Sequence, residues 1–292
     1  MFDLLNVILP TFFVILIGFL LGKMTKINMS GIVDLLFFVG IPALSFVSML
    51  EKKIVLADAT KVWASAVTII LGCGVVAWIV FKIIGKKHSG VYLPIMMMNA
   101  VNIPFPIIYL VYGSDGLFAA VLFFIPTTIL LYSLGIVILA RKSWKDGLKD
   151  MAKVPAIYAA LTGLMLNLFN ITVPQLVLKP LNLIALMVIP LVLMVLGAKL
   201  ATVRITSFPT TALASGIRLG VGLLLGLLAV ELFNLTGVLR AVVIFDSMMP
   251  AAVNTSILAM KYDNEADLVS SVVFVTTLAS LATIPFLLQA LT

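Results

Sequence analysis

Two stretches of the chain set prolines beside amides and hydroxyls within long apolar runs. The first reads Asn99-Ala100-Val101-Asn102-Ile103-Pro104-Phe105-Pro106, the second Asp246-Ser247-Met248-Met249-Pro250-Ala251-Ala252-Val253-Asn254-Thr255. Proline removes an N–H donor and clashes with the carbonyl one turn earlier, so neither stretch can be one straight helix. In hydrocarbon such a break is tolerated only where it is buried in protein or lines a wet cavity. If the two breaks, marked by Pro104, Pro106 and Pro250, cross at mid-membrane, freed N–H groups and half-helix N-termini make a positive focus suited to a carboxylate. Asn99, Asn102 and Asn254 add side-chain donors there, and Thr255 a hydroxyl. A small organic anion is the natural ligand. The plainer reading of these residues is a pair of kinks and interhelical hydrogen bonds that only pack a bundle.

Two ionisable residues lie deep in apolar runs. Asp246 and Arg218 each stand about eight residues into their spans, from opposite sides. They either pair with each other, or Asp246 carries a proton or a cation whose binding is tied to substrate movement. Asp34, near the start of the second run, is a further coupling candidate or an interfacial residue.

These residues need a membrane to give them meaning, and the composition supplies one. The 292 residues are 63% hydrophobic and 11% charged, with a mean hydropathy of +1.25, which excludes a water-soluble globule. Apolar runs fall at 4–22, 31–50, 59–81, 91–112, 116–140, 154–170, 175–199, 210–232, 238–260 and 267–291. At roughly 20 residues each, ten spans leave no room for a soluble domain. The first run lacks a basic leader and a small-residue cleavage site, and is read as a retained span. Thirteen Lys and Arg lie in odd-to-even connectors against five on the other face, which places both termini outside the cell. The net charge of +7 thus reflects topology and lipid contact, not nucleic acid. One cysteine, Cys73, and one histidine, His88, exclude an intrachain disulfide and argue against a metal cage, so no cofactor is expected. Met96-Met97-Met98 reads as adaptable packing.

The chain also repeats itself. Pro10 and Gly18 recur 145 positions later as Pro155 and Gly163, and Ile41-Pro42 recurs 148 later as Ile189-Pro190. Tyr112-Gly113-Ser114-Asp115 faces Tyr262-Asp263-Asn264-Glu265 at 150, and Val121 and Phe123 face Val272 and Phe274 at 151. Offsets drifting one way describe a duplication with small loop insertions. Five spans per half is an odd number, so the halves lie upside down to each other, as in carriers that expose a central site alternately. The expected fold is therefore an all-α integral membrane protein of ten transmembrane helices. It is built as two inverted five-helix repeats, 1–140 and 154–292, joined by a cytoplasmic linker, 141–153, with helices 4 and 9 broken and crossing.

The chain resembles the auxin efflux carrier family, which includes plant PIN proteins and many microbial permeases. The fourth span carries the family's spacing of Asn, Pro and Gly as Asn99, Pro106 and Gly113, with Tyr112 before the glycine. Pro250, Asn254, Ala259-Met260-Lys261-Tyr262, Asp267-Leu268 and Ile284-Pro285 are similar to its C-terminal block, and Ile41-Pro42-Ala43-Leu44-Ser45-Phe46 to its second-span motif. The resemblance implies a scaffold of helices 1, 2, 6 and 7, a transport domain of helices 3–5 and 8–10, and homodimers through the scaffold. It also implies that Asn99 binds the substrate carboxylate and that Ser45 faces the pocket from the scaffold. Pro104 stands where plant members carry glycine, Thr255 where they carry a second proline, and the short linker replaces their long hydrophilic loop. These departures set the chain apart from the plant members, and the resemblance to microbial members implies a malate- or malonate-like carboxylate, with an auxin-like acid as the other candidate.

The expected function is a secondary or potential-driven carrier of a small organic anion in the cell membrane, working by an elevator-type alternating access. Coupling is to protons, to sodium or to the potential alone. No G-x-x-x-x-G-K-[ST] motif supports an ATP-driven pump, and no nucleophile–base pair or metal motif in the spans suggests an enzyme. The alternatives are a sodium-coupled carrier like the bile acid symporters and, further off, a passive channel.

Overall fold

The computed structural model describes residues 2–25, 29–51, 55–86, 88–140, 152–201 and 206–291. The expected linker lies outside them apart from 152 and 153. The described residues are almost wholly helical. Helix α1 is Phe2–Met24. Helices α2 (Met29–Leu35) and α3 (Ile41–Glu51) are joined by a π-helical turn, Leu36–Gly40. Helix α4 (Leu56–Ile84) precedes the short α5 (Tyr92–Met96), and α6 (Pro104–Tyr132) precedes α7 (Leu134–Ala140). Helices α8 (Pro155–Leu168) and α9 (Gln175–Leu200) follow. Then α10 (Phe208–Gly216) runs through a second π turn, Ile217–Val221, into α11 (Gly222–Leu232). The chain closes with α12 (Gly237–Ser247), α13 (Val253–Lys261) and α14 (Ala266–Leu291).

Six of these stretches are long and apolar enough to cross a membrane: Ser30–Leu50, Leu56–Ile84, Pro104–Leu139, Gln175–Ala198, Phe208–Leu232 and Ala266–Leu291. Leu9–Met24 and Pro155–Leu168 are shorter apolar helices. Large apolar side chains such as Phe13, Trp78, Leu183, Leu186 and Phe286 point outward, as the surface of a multi-pass membrane protein must. The long run in α6 is divided at Gly113, whose φ of 61° and ψ of −148° belong to a region essentially closed to side chains. The break falls where the sequence separates spans four and five.

Small residues set the closest helix contacts, as expected where van der Waals packing drives association in lipid. Gly18 of α1 lies against the backbone of Met194 in α9, and Gly197 against the carbonyl of Ile15. Gly163 of α8 lies against the backbone of Phe46 in α3. Gly18 and Gly163 are 145 apart, and Phe46 and Met194 are 148 apart, the same offsets that relate the first and second pairs of spans in sequence. On the basic-connector side, His88 Nδ1 lies 2.6 Å from Glu265 Oε1, and Asn264 Nδ2 donates to the Leu139 carbonyl at 2.9 Å.

Candidate functional site

The fourth span is interrupted between Met96 and Pro104, and the ninth between Ser247 and Val253. The prolines explain both ends. Pro104 opens α6, where a missing N–H is harmless, and Pro250 stands in the gap before α13. The two interruptions cross. Met98 and Ala251 form an antiparallel bridge, with the Asn99 N–H donating to Pro250 O at 2.7 Å and the Ala252 N–H to Met97 O at 2.8 Å. Thr276 of α14 accepts the Ala251 N–H at 3.1 Å. Much of the backbone freed by the prolines is thus satisfied within the crossing itself.

Asn99 is buried, with 4% of its surface exposed. Its Oδ1 accepts the N–H of Asn102 at 2.9 Å and of Val101 at 3.4 Å. That turn fixes the side chain and leaves Nδ2 with no protein partner. On the other span, Ala252 occupies the N-cap of α13 and offers no side-chain acceptor; the Thr255 N–H turns back to the Ala252 carbonyl at 3.0 Å, and the first turn has no side-chain cap.

Both features border one cleft of about 110 Å3, room for several waters or one small molecule. One wall is Val33, Leu36, Phe37 and Ile41 of the second span, with Val154, Ala156, Val192 and Val195 of the sixth and seventh. Facing them are Met98 to Asn102, Ala252 to Asn254, and Phe124, Thr127, Thr128, Leu131 and Tyr132 of the fifth span. No lining residue carries a formal charge. Apolar walls with a few convergent polar groups are the usual make-up of a small-ligand site. A π-helical turn, frequent at functional sites, supplies Leu36 and Phe37.

Of the residues anticipated from sequence, Asn99, Asn102 and Asn254 meet in this cleft. Thr255 is buried outside its lining, its hydroxyl donating to Ala252 O at 2.6 Å. Ser45 is buried on the second span, also outside the lining, with no partner for its hydroxyl. Asp34 is exposed and not among the lining residues, although its neighbour Val33 is. Arg218 and Asp246 are both fully buried but do not pair. The guanidinium donates to Ile95 O at 3.0 Å, Met96 O at 3.1 Å and Ser247 O, while both Asp246 oxygens lack partners. Of the two readings of these residues, the ion pair does not form: helix ends leave orphan carbonyls, and Arg has five donors in a fixed fork to offer them.

Sequence reasoning passed over Thr127, Thr128 and Thr276. A partial signal was present: Thr127-Thr128 and Thr276-Thr277 are threonine pairs 149 apart, near the repeat spacing but two residues out of register with the 151 of neighbouring Val121 and Phe123. Met96, Met97 and Met98 are buried, and the Met96 thioether fills the space left by Gly74, as packing residues do.

A family model described as membrane transport protein matches residues 3–288. An uncharacterized transporter of Methanocaldococcus jannaschii is 26% identical over 298 residues, covering 96% of each chain. An uncharacterized transporter of Methanothermobacter thermautotrophicus is 26% identical over 292 residues, covering 95% of each. Both relatives are named as transporters. With its two interrupted spans and near end-to-end match, the chain belongs to the membrane transport protein family, the auxin efflux carrier (PIN-like) family its motifs resemble.

Proposed function

We propose that the chain is a secondary carrier of a small organic anion in the cell membrane, binding a malate- or malonate-like carboxylate in the cleft beside the crossing. The observation that carries this reading is the pairing of an unpartnered amide donor, Asn99 Nδ2, with the uncapped N-terminus of α13 in one uncharged cleft. Helix N-termini favour anions, and an apolar surround strengthens that preference.

Spans 2, 6 and 7 and the crossing with span 5 all contribute lining to the cleft, which supports an elevator-type motion of six helices against a scaffold. The matched contacts of Gly18 with Met194 and of Gly163 with Phe46 support two inverted five-helix repeats. Val33 and Val154 line the cleft and stand beside basic connectors in the sequence, which supports access from the cytoplasmic face by charge bias, an inward-facing state. An inside-negative potential then drives anion export by about 2.3 kcal/mol per charge per 100 mV. A thermal-shift and binding series of the purified protein against mono- and dicarboxylates tests the reading. Saturable stabilisation by carboxylates and not by their amides is the expected result. Equal response to both would overturn it.

The unpartnered oxygens of Asp246 favour a second reading, sodium-coupled transport like that of the bile acid symporters. Uptake into proteoliposomes with and without a sodium gradient separates the two.

A further inference from the structure

Arg218 stands on the π turn Ile217–Val221 and is wholly buried. Its three carbonyl partners are not scattered. Ile95 and Met96 end α5, and Ser247 ends α12, so one guanidinium closes the C-termini of the first halves of both interrupted spans. Helix C-termini carry partial negative charge, and two brought together in a low dielectric repel unless a cation lies between them. In carriers with discontinuous helices, such half-helix carbonyls are where a coupling ion is held. The surroundings fit the guanidinium closely at its two Nη groups, while Nε has no protein partner. A side chain at Gly222 would collide with Nη2 and with the Ser247 carbonyl, and one at Gly226 with the Ser247 hydroxyl.

We propose that Arg218 is a resident cation. It occupies the place between the two half-helix C-termini that a free alkali ion would otherwise fill, so this crossing needs no sodium there. The proposal rests on the carrier reading above and settles one part of it, the ion at the crossing. Removal of the side chain vacates a site bounded by the carbonyls of Ile95, Met96 and Ser247, with the Asp246 carboxylate next to it in sequence. That site would accept a free monovalent cation.

The test uses purified full-length protein and unfolding followed by tryptophan fluorescence, in sodium, potassium, guanidinium or choline chloride at matched low ionic strength. The wild type is expected to melt at the same temperature in sodium and in choline. Arg218→Ser is expected to melt several degrees lower in choline and to recover saturably with sodium, potassium or guanidinium, while Arg218→Lys stays insensitive. Saturable stabilisation of the wild type by sodium, or a folded Arg218→Ser with no cation response, would overturn the proposal. If Arg218→Ser cannot be recovered folded, Arg218→Gln and Arg218→Lys decide. Recovery of Lys alone supports a role for the charge, and any other outcome refutes it. None of these readouts involves carboxylate binding, which is measured separately on the wild type, so failure of the anion reading is distinguishable from failure here.

Discussion

The backbone N–H of Asn99 donates to the carbonyl of Pro250 at 2.7 Å, so the residue that shapes one break is tied to the proline that makes the other. Its side chain is divided in role. Oδ1 holds the Val101 and Asn102 amides, and Nδ2 has no protein partner.

Asn99→Asp keeps the acceptor, removes the donor and adds a negative charge where an anion is to bind. The variant is expected to melt within a few degrees of the wild type and to lose at least tenfold in carboxylate affinity, or about 1.4 kcal/mol. Asn99→Ala loses the turn as well, with about 1 kcal/mol of stability. Titration calorimetry and thermal unfolding report the two effects separately, and undiminished affinity in Asn99→Asp would remove this residue from the site.

Thr276 closes the crossing from outside by accepting the Ala251 N–H. Thr276→Val keeps the shape and strands a buried donor, which costs about 1–3 kcal/mol, whereas Thr276→Ser retains the bond. A lowered unfolding temperature in the valine variant alone is the expected outcome. Equal melting of both would show that the amide finds another partner.

Gly18→Ala and Gly163→Ala each drive a methyl group into a facing helix backbone. Each is expected to lose about 1–3 kcal/mol through overpacking, and by similar amounts if the two contacts are equivalents under one duplication. Gly216, with open space around it, is the control: its alanine variant should gain up to about 1 kcal/mol of helix propensity. Thermal unfolding in one detergent compares all three.

Asp246→Asn removes the buried carboxylate without changing its outline. Substrate exchange down its own gradient is expected to persist in proteoliposomes, and accumulation driven by an imposed pH gradient to vanish. Persistence of pH-driven accumulation in the variant would exclude Asp246 as the coupling residue.

The breaks themselves were legible in sequence because proline's effect is local: Pro104, Pro106 and Pro250 place both interruptions without reference to the rest of the chain. The convergence of Asn99, Asn102 and Asn254 followed once those breaks were assumed to cross. What was not legible is which partner a buried polar group finds. Arg218 and Asp246 look like an ion pair in a list of residues, yet the acceptors Arg218 uses are backbone carbonyls, which every residue has and no sequence marks. Ser45 and Thr255 carry suitable groups, but the rotation of their helices places them behind the lining. Threonine passes easily in an apolar run because its hydroxyl is absorbed by its own helix, as Thr127 shows with Phe123 O.

The reciprocal bridge of Met98 with Ala251, braced by Arg218 on one side, has a mechanical consequence. Two rods stapled at their midpoints behave as a single lever, and any force separating them tears the staple before it bends either rod. Under the carrier reading proposed above, a guest seated at that joint would travel with both rods together, and the compliance for such travel would reside at the apolar wall opposite.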